Sequence, residues 1–131
     1  AASDVYKRQS MYYKILLIVT FTLIANIGHS SDSLLIGSWK CKFKSEIIDA
    51  DQTLTINESG DYKLVASIFG SNLTDLGTWS LQKSILTLNR HTHIKRGKKE
   101  ESKHTFTHTI KKLNKTSLIY TQGKGISECS R

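Results

Sequence analysis

Trp39-Lys40-Cys41-Lys42-Phe43-Lys44 alternates apolar and cationic side chains without a break. On a pleated strand successive side chains point to opposite faces, so Trp39, Cys41 and Phe43 share one face and the three lysines share the other. One face therefore meets a core and the other meets water. The same period of two recurs downstream. A strand near 52–57 carries Leu54 and Ile56 on its inner face, and Glu58-Ser59-Gly60-Asp61 supplies turn residues for a hairpin into 62–69, where Tyr62, Leu64, Ala66 and Ile68 share a face.

Further along, 70–75 reads as a polar loop and 76–82 as a strand centred on Trp79 and Leu81. Lys83-Ser84 turns the chain into 85–94. A basic loop over 95–101 leads to 103–112, Asn114-Lys115-Thr116 turns into 117–122, and the Gly-containing end 123–131 offers a last strand. Turns recur about every ten residues, and no segment beyond residue 30 carries a helical stripe. The expected fold is all-β: an antiparallel up-and-down barrel of seven or eight strands, preceded by an N-terminal signal-peptide helix. Closure into a barrel removes the edge strands that a small sheet would otherwise expose.

The motifs Gly37-Ser38-Trp39, Leu54-Thr55-Ile56 with Gly60-Asp61-Tyr62, Gly77-Thr78-Trp79-Ser80-Leu81, Leu86-Thr87-Leu88, and 110–113 before Ser117-Leu118-Ile119 follow one another at barrel spacing. In this they resemble the bacterial lipocalin-like domain, over nearly all of 31–131. The resemblance implies an exported barrel whose Gly-x-Trp tryptophan packs at the closed end. It gives Gly37, Trp39, Gly77 and Trp79 structural roles. Other lipocalins stack an arginine from near the last strand on this tryptophan, and Arg131 is the arginine in that region.

The 131 residues carry a formal net charge of +8, with 38% hydrophobic residues, no proline and two cysteines. That composition excludes wholesale disorder and collagen-like or Pro-rich classes. From Met11 the chain reads as an export signal: one cation, Lys14, then an apolar run over 15–25, then small and polar residues to Ser30. The run is far shorter than the roughly 20 residues a membrane-spanning helix needs. The expected division is a non-native or read-through leader at 1–10, a signal peptide at 11–30 cleaved after Ser30, and a barrel domain at 31–131. The competing reading is an uncleaved anchor helix, flanked by Tyr12 and Tyr13. Export implies a secreted or periplasmic monomer with no membrane span after cleavage. It also makes a bridge between Cys41 and Cys129 chemically allowed, the alternative being two independent thiols.

Candidate chemistry is sparse. His91, His93, His104 and His108 fall on two consecutive strands, but the inward phase of Leu86 and Leu88 against Phe106 and Ile110 turns His91 and His93 outward, splitting the cluster. No metal site, cofactor or catalytic residue is expected: no carboxylate pairs with a histidine at a recognisable spacing, and no serine sits in a nucleophile elbow. The residues expected to line a ligand space are Phe43, Tyr62, Leu64, Phe106, His108 and Tyr120. That predicts a binding protein, not an enzyme, for a small apolar ligand. The alternative partner is an anionic surface or acidic protein, because 90–115 holds nine bases against Glu100 and Glu101. Nucleic acid is disfavoured, since Phe106 is the only ring there available to stack on bases.

Overall fold

A computed structural model describes residues 29–131, and the expected leader and the expected signal segment up to residue 28 lie outside the described residues. A compact unit runs from Ser33 to Arg131. A short helix, α1 (His29–Leu35), leads into eight strands: β1 (Gly37–Lys44), β2 (Asp49–Ile56), β3 (Asp61–Ile68), β4 (Ser71–Gln82), β5 (Ile85–Lys95), β6 (Lys98–Leu113), β7 (Ser117–Gln122) and β8 (Gly125–Ser130). Each strand pairs with the next, and β8 returns to β1, closing an antiparallel up-and-down barrel. The expected antiparallel up-and-down barrel stands, with eight strands.

The alternation of Trp39, Cys41 and Phe43 becomes the inner face of β1, facing Leu54, Gln52 and Ala50 of β2 in register. Antiparallel alternation puts the turns at 45–48, 69–70, 96–97 and 123–124 at one end, here called the mouth. The turns at 57–60, 83–84 and 114–116 lie at the other end with Leu34, Ile36 and Arg131. That far end is filled. Leu35, Trp39, Leu54, Ile56, Leu86, Leu88, Leu118 and Tyr120 are all at most 1% exposed and belong to one apolar cluster.

The filling is locked by two tryptophans and one arginine. Trp39 Nε1 donates to Leu35 O at 2.9 Å, and the Arg131 guanidinium lies 4.1 Å from the centre of the Trp39 ring. Arg131 also donates from Nε to Lys115 O at 2.7 Å, from Nη1 to Ile36 O at 2.5 Å and from Nη2 to Leu34 O at 2.9 Å. Gly37 permits this. Its φ is +133°, and an added Cβ would stand 2.7 Å from Arg131 Nη1. Trp79 Nε1 donates to Asn57 O at 2.8 Å, pinning the β2–β3 turn to the same end.

Two segments read as loops are strands. The residues at 71–75 form the start of β4, and the basic stretch 95–101 is the tip of the β5–β6 hairpin. Both replace an expected loop by a two-residue turn, Phe69-Gly70 (φ 50° and 75°) and Arg96-Gly97 (φ 53° and 77°). Turns with positive φ at both central residues match the twist of the flanking strands. Phenylalanine and arginine are poor sequence markers of the first such position, so polarity in 71–75 and 98–101 was the misleading signal.

Cys41 and Cys129 face each other in register across the seam between β1 and β8 and form a disulfide spanning 88 positions of sequence. Such a bond belongs to an oxidising, non-cytoplasmic compartment. In the chain-entropy account, closing a loop of that length stabilises the fold by roughly 4 to 5 kcal/mol.

Two outcomes are expected in urea unfolding. Replacing both cysteines, Cys41→Ser with Cys129→Ser, lowers stability by about 4 kcal/mol, and reduction of the wild type gives the same shift. Arg131→Ala costs about 2 kcal/mol, because one side chain supplies both the ring contact and three carbonyl caps. Arg131→Lys recovers little of it, since an ammonium lacks the planar fork. An unchanged midpoint for Arg131→Ala would show that this side chain does not hold the closed end.

Candidate functional site

Between the filled end and the mouth, the inward-facing positions become polar and partly open. Asp75 on β4 occupies the inward phase of Leu73, Gly77 and Trp79, and pairs with His93 of β5. His93 Nδ1 donates to Asp75 Oδ1 at 2.5 Å. Arg90 Nη1 stands 3.5 Å from both Asp75 oxygens, its Nε donates to Ser102 O at 3.1 Å, and its Nη2 donates to Ser102 Oγ at 2.8 Å. The guanidinium lies 5.3 Å from the centre of the Phe106 ring. Side-chain exposures of 18% for Arg90, 15% for Asp75 and 22% for His93 leave all three partly accessible to solvent.

Gly77 explains why Tyr62 joins this group. Tyr62, Gly77 and Arg90 are register neighbours on β3, β4 and β5, and the missing side chain at Gly77 leaves room for the phenol: an added Cβ would stand 2.8 Å from Tyr62 Cε1 and 1.9 Å from Asn89 O. Tyr62 is 2% exposed. Its hydroxyl is the one buried side-chain polar atom among the described residues with no hydrogen-bond partner. Burial pushes its pKa up to about 12, with the Asp75 charge adding to the rise and Arg90 opposing it. The phenol is therefore neutral and able to donate at any physiological pH.

On the next inner wall, His104, Phe106, His108 and Tyr120 form a column. Ring centroids lie 4.4 Å apart for His104 and Phe106, 6.4 Å for Phe106 and His108, and 5.2 Å for His108 and Tyr120. His108 Nδ1 donates to Thr121 O at 2.9 Å, which fixes the proton on that nitrogen. Burial lowers its pKa below the usual histidine value, partly opposed by the bond to Thr121. Tyr120 is pushed up to about 12 by burial, against a hydrogen bond to Ser127. Ser127 Oγ in turn lies 3.0 Å from Gln122 Oε1.

Of the six residues expected to line the interior, all occupy inward positions. Tyr62, His108 and Tyr120 are buried, while Phe43, Leu64 and Phe106 are half-buried. Phe43 lies over Gly125, where an added Cβ would come 2.3 Å from its ring. The histidine reading needs correction. His91 is the extra residue of a β-bulge against β4, and the register shifts again against β6, where the extra residue lies on β6 between Glu101 and His104. The bulge inverts the phase, so Arg90 and His93 both face inward, and His93 reaches Asp75 instead of solvent. His104 keeps the inward phase but stays exposed. Among the described residues no group of three or more His, Cys, Asp or Glu side chains is placed to hold a metal ion.

Sequence reasoning missed Asp75, Arg90, His93 and Ser102. A signal was present for two of them, since Asp75 and Arg90 sit in phase with Leu73 and Trp79 and with Leu86 and Leu88. A charge on the apolar phase of a strand is the mark of a polar interior site.

No protein-family model matches the sequence, and no curated protein matches it. Among solved structures, a lipocalin-like protein from Bacteroides uniformis is similar, with 17% identity, coverage of 75% of this chain and 98% of that one, and a TM-score of 0.51. The chain thus has a lipocalin-like fold.

The lowered pKa of His108 sets a pH dependence. The unfolded chain takes up this proton near pH 6.5, whereas the folded protein resists it. The stability that follows from keeping His108 neutral is complete above about 6.5 and is lost as pH falls from there through the folded value. In thermal unfolding at neutral and mildly acid pH, His108→Gln should lose less stability on acidification than the wild type. Parallel losses in the two proteins would contradict the assignment.

Proposed function

We propose that this chain is an exported, lipocalin-like binding protein that holds a small, largely apolar ligand in the mouth half of its barrel, without catalysing a reaction. The observation that carries the reading is the division of the interior: a fully packed floor of Trp39, Leu54, Leu88 and Leu118, and above it half-buried Phe43, Leu64 and Phe106 with a few fixed polar groups. Apolar walls with a small number of positioned polar atoms are the usual lining of a small-molecule site. Ile47 and Phe69, 88% and 90% exposed on two turns at the mouth, offer apolar contacts to an entering ligand. The disulfide supports a secreted or periplasmic location.

A second reading, docking on an acidic macromolecule, is favoured by the outer face of the β5–β6 hairpin. A shallow depression of about 530 Å³ there has outward-facing Thr78, Asn89, His91, Lys103 and Thr105 in its lining, and exposed Lys99 and Arg96 extend the basic surface to the tip.

Titration of the protein into a fluorophore-tailed fatty acid should raise and blue-shift the emission. Tyr62→Ala and Phe106→Ala, each checked for β-sheet circular dichroism, should abolish the change. Raising the ionic strength through the physiological range should leave uptake nearly constant, because the contacts are internal and apolar. A wild type that takes up no probe removes the leading reading. Steeply salt-dependent capture of a polyanion in its place would establish the second.

A further inference from the structure

Resting on the reading of the barrel as a container, we infer that its ligand carries a carboxylate head, held inside the mouth by the Tyr62 hydroxyl and the Arg90 guanidinium. Three observations converge on one spot. The Tyr62 hydroxyl is buried and has no partner, and a buried phenol without a partner forfeits a hydrogen bond that a ligand acceptor would restore. Arg90 offers five N–H donors in a planar fork. Its contacts with Asp75 are long, 3.5 Å, and its two firm bonds go to Ser102 alone. Tyr62 and Arg90 flank Gly77 in register on β3 and β5, so the strand between them contributes no side chain, and the Tyr62 ring packs over the glycine.

The neighbouring Asp75 is not a free carboxylate: His93 Nδ1 is bonded to one of its oxygens at 2.5 Å, and Arg90 Nη1 stands 3.5 Å from both. Farther out, Lys95, Lys98 and Glu100 occupy the inward phase beside Leu73 and His93, with Lys98 Nζ 3.6 Å from Glu100. Apolar surface begins immediately on either side: Leu64 pairs with Asp75 on β3, and Phe106 lies under the Arg90 guanidinium. A head group with two acceptor oxygens and no proton to donate, joined to an apolar body, satisfies both unsated donors and places its tail on Leu64 and Phe106. Arginine in this setting recognises carboxylate geometry better than a point charge would.

The test compares a fluorophore-tailed carboxylic acid with the alcohol of the same chain length, on the wild type and on Tyr62→Phe, which keeps the ring over Gly77. The wild type should bind the acid at least about tenfold tighter than the alcohol, the factor expected for hydrogen bonds to a charged group. Tyr62→Phe should weaken the acid by about tenfold and the alcohol by much less, since only the acid offers a charged acceptor. Equal affinity for acid and alcohol overturns the head-group assignment while leaving the container reading in place, and so does a Tyr62→Phe protein that loses both alike. Failure of the wild type to bind either probe overturns the container reading and this inference with it.

Discussion

The stack of Arg131 on Trp39 is the contact on which the rest of the barrel depends. An up-and-down barrel has two open ends, and a chain of this size cannot leave both wet and still bury an adequate core. Here the last residue of the sequence reaches across the first strand, covers the indole, and caps the backbone carbonyls of Leu34, Ile36 and Lys115. That single side chain ties the start of the barrel, the β6–β7 turn and the C-terminus to one point. The disulfide at Cys41 and Cys129 holds the same seam two residues along, so the first and last strands are joined covalently where the barrel closes.

Once that end is plugged, any interior function must lie in the other half. The apolar residues with no exposure cluster toward the plug, whereas Asp75, Arg90 and His93 sit beyond them, partly hydrated. A buried ion pair adds little stability against a well-packed apolar replacement, because removing two charges from water costs about as much as their attraction returns. A fold this small gains little by placing Asp75 and Arg90 inward for stability alone. Their placement together with an unpartnered tyrosine departs from the otherwise consistent apolar phase, and such departures mark sites where function has taken precedence over packing.

Much of the fold could be read from the chain, because inward alternation on β1, β2, β3 and β7 has no interruption: Trp39, Cys41, Phe43, then Leu54 and Ile56, then Tyr62 to Ile68, then Leu118 and Tyr120. The tryptophan plug and its arginine were legible through the Gly37-Ser38-Trp39 motif and the position of Arg131. The site was only half legible. Its apolar lining followed from phase counting, but the bulge at His91 inserts one residue between Arg90 and His93 and inverts the count, which a strict period of two cannot register. The turns at Phe69-Gly70 and Arg96-Gly97 escaped for a related reason, since each puts a bulky side chain at a positive φ usually held by Gly, Asn or Asp. Cysteine pairing could be allowed by the sequence but was decided by register, which places Cys41 opposite Cys129.

Backbone hydrogen exchange measured strand by strand, with and without a fluorophore-tailed carboxylic acid, tests the partition between plug and mouth most directly. Amides around Trp39, Leu54, Leu88 and Leu118 should exchange slowest in the free protein, and bound probe should add protection at 62–66, 73–77, 90–93 and 102–108 while leaving the plug unchanged. Uniform protection along the strands, or gains confined to the outer face of the β5–β6 hairpin, would contradict a filled floor beneath a ligand-holding mouth.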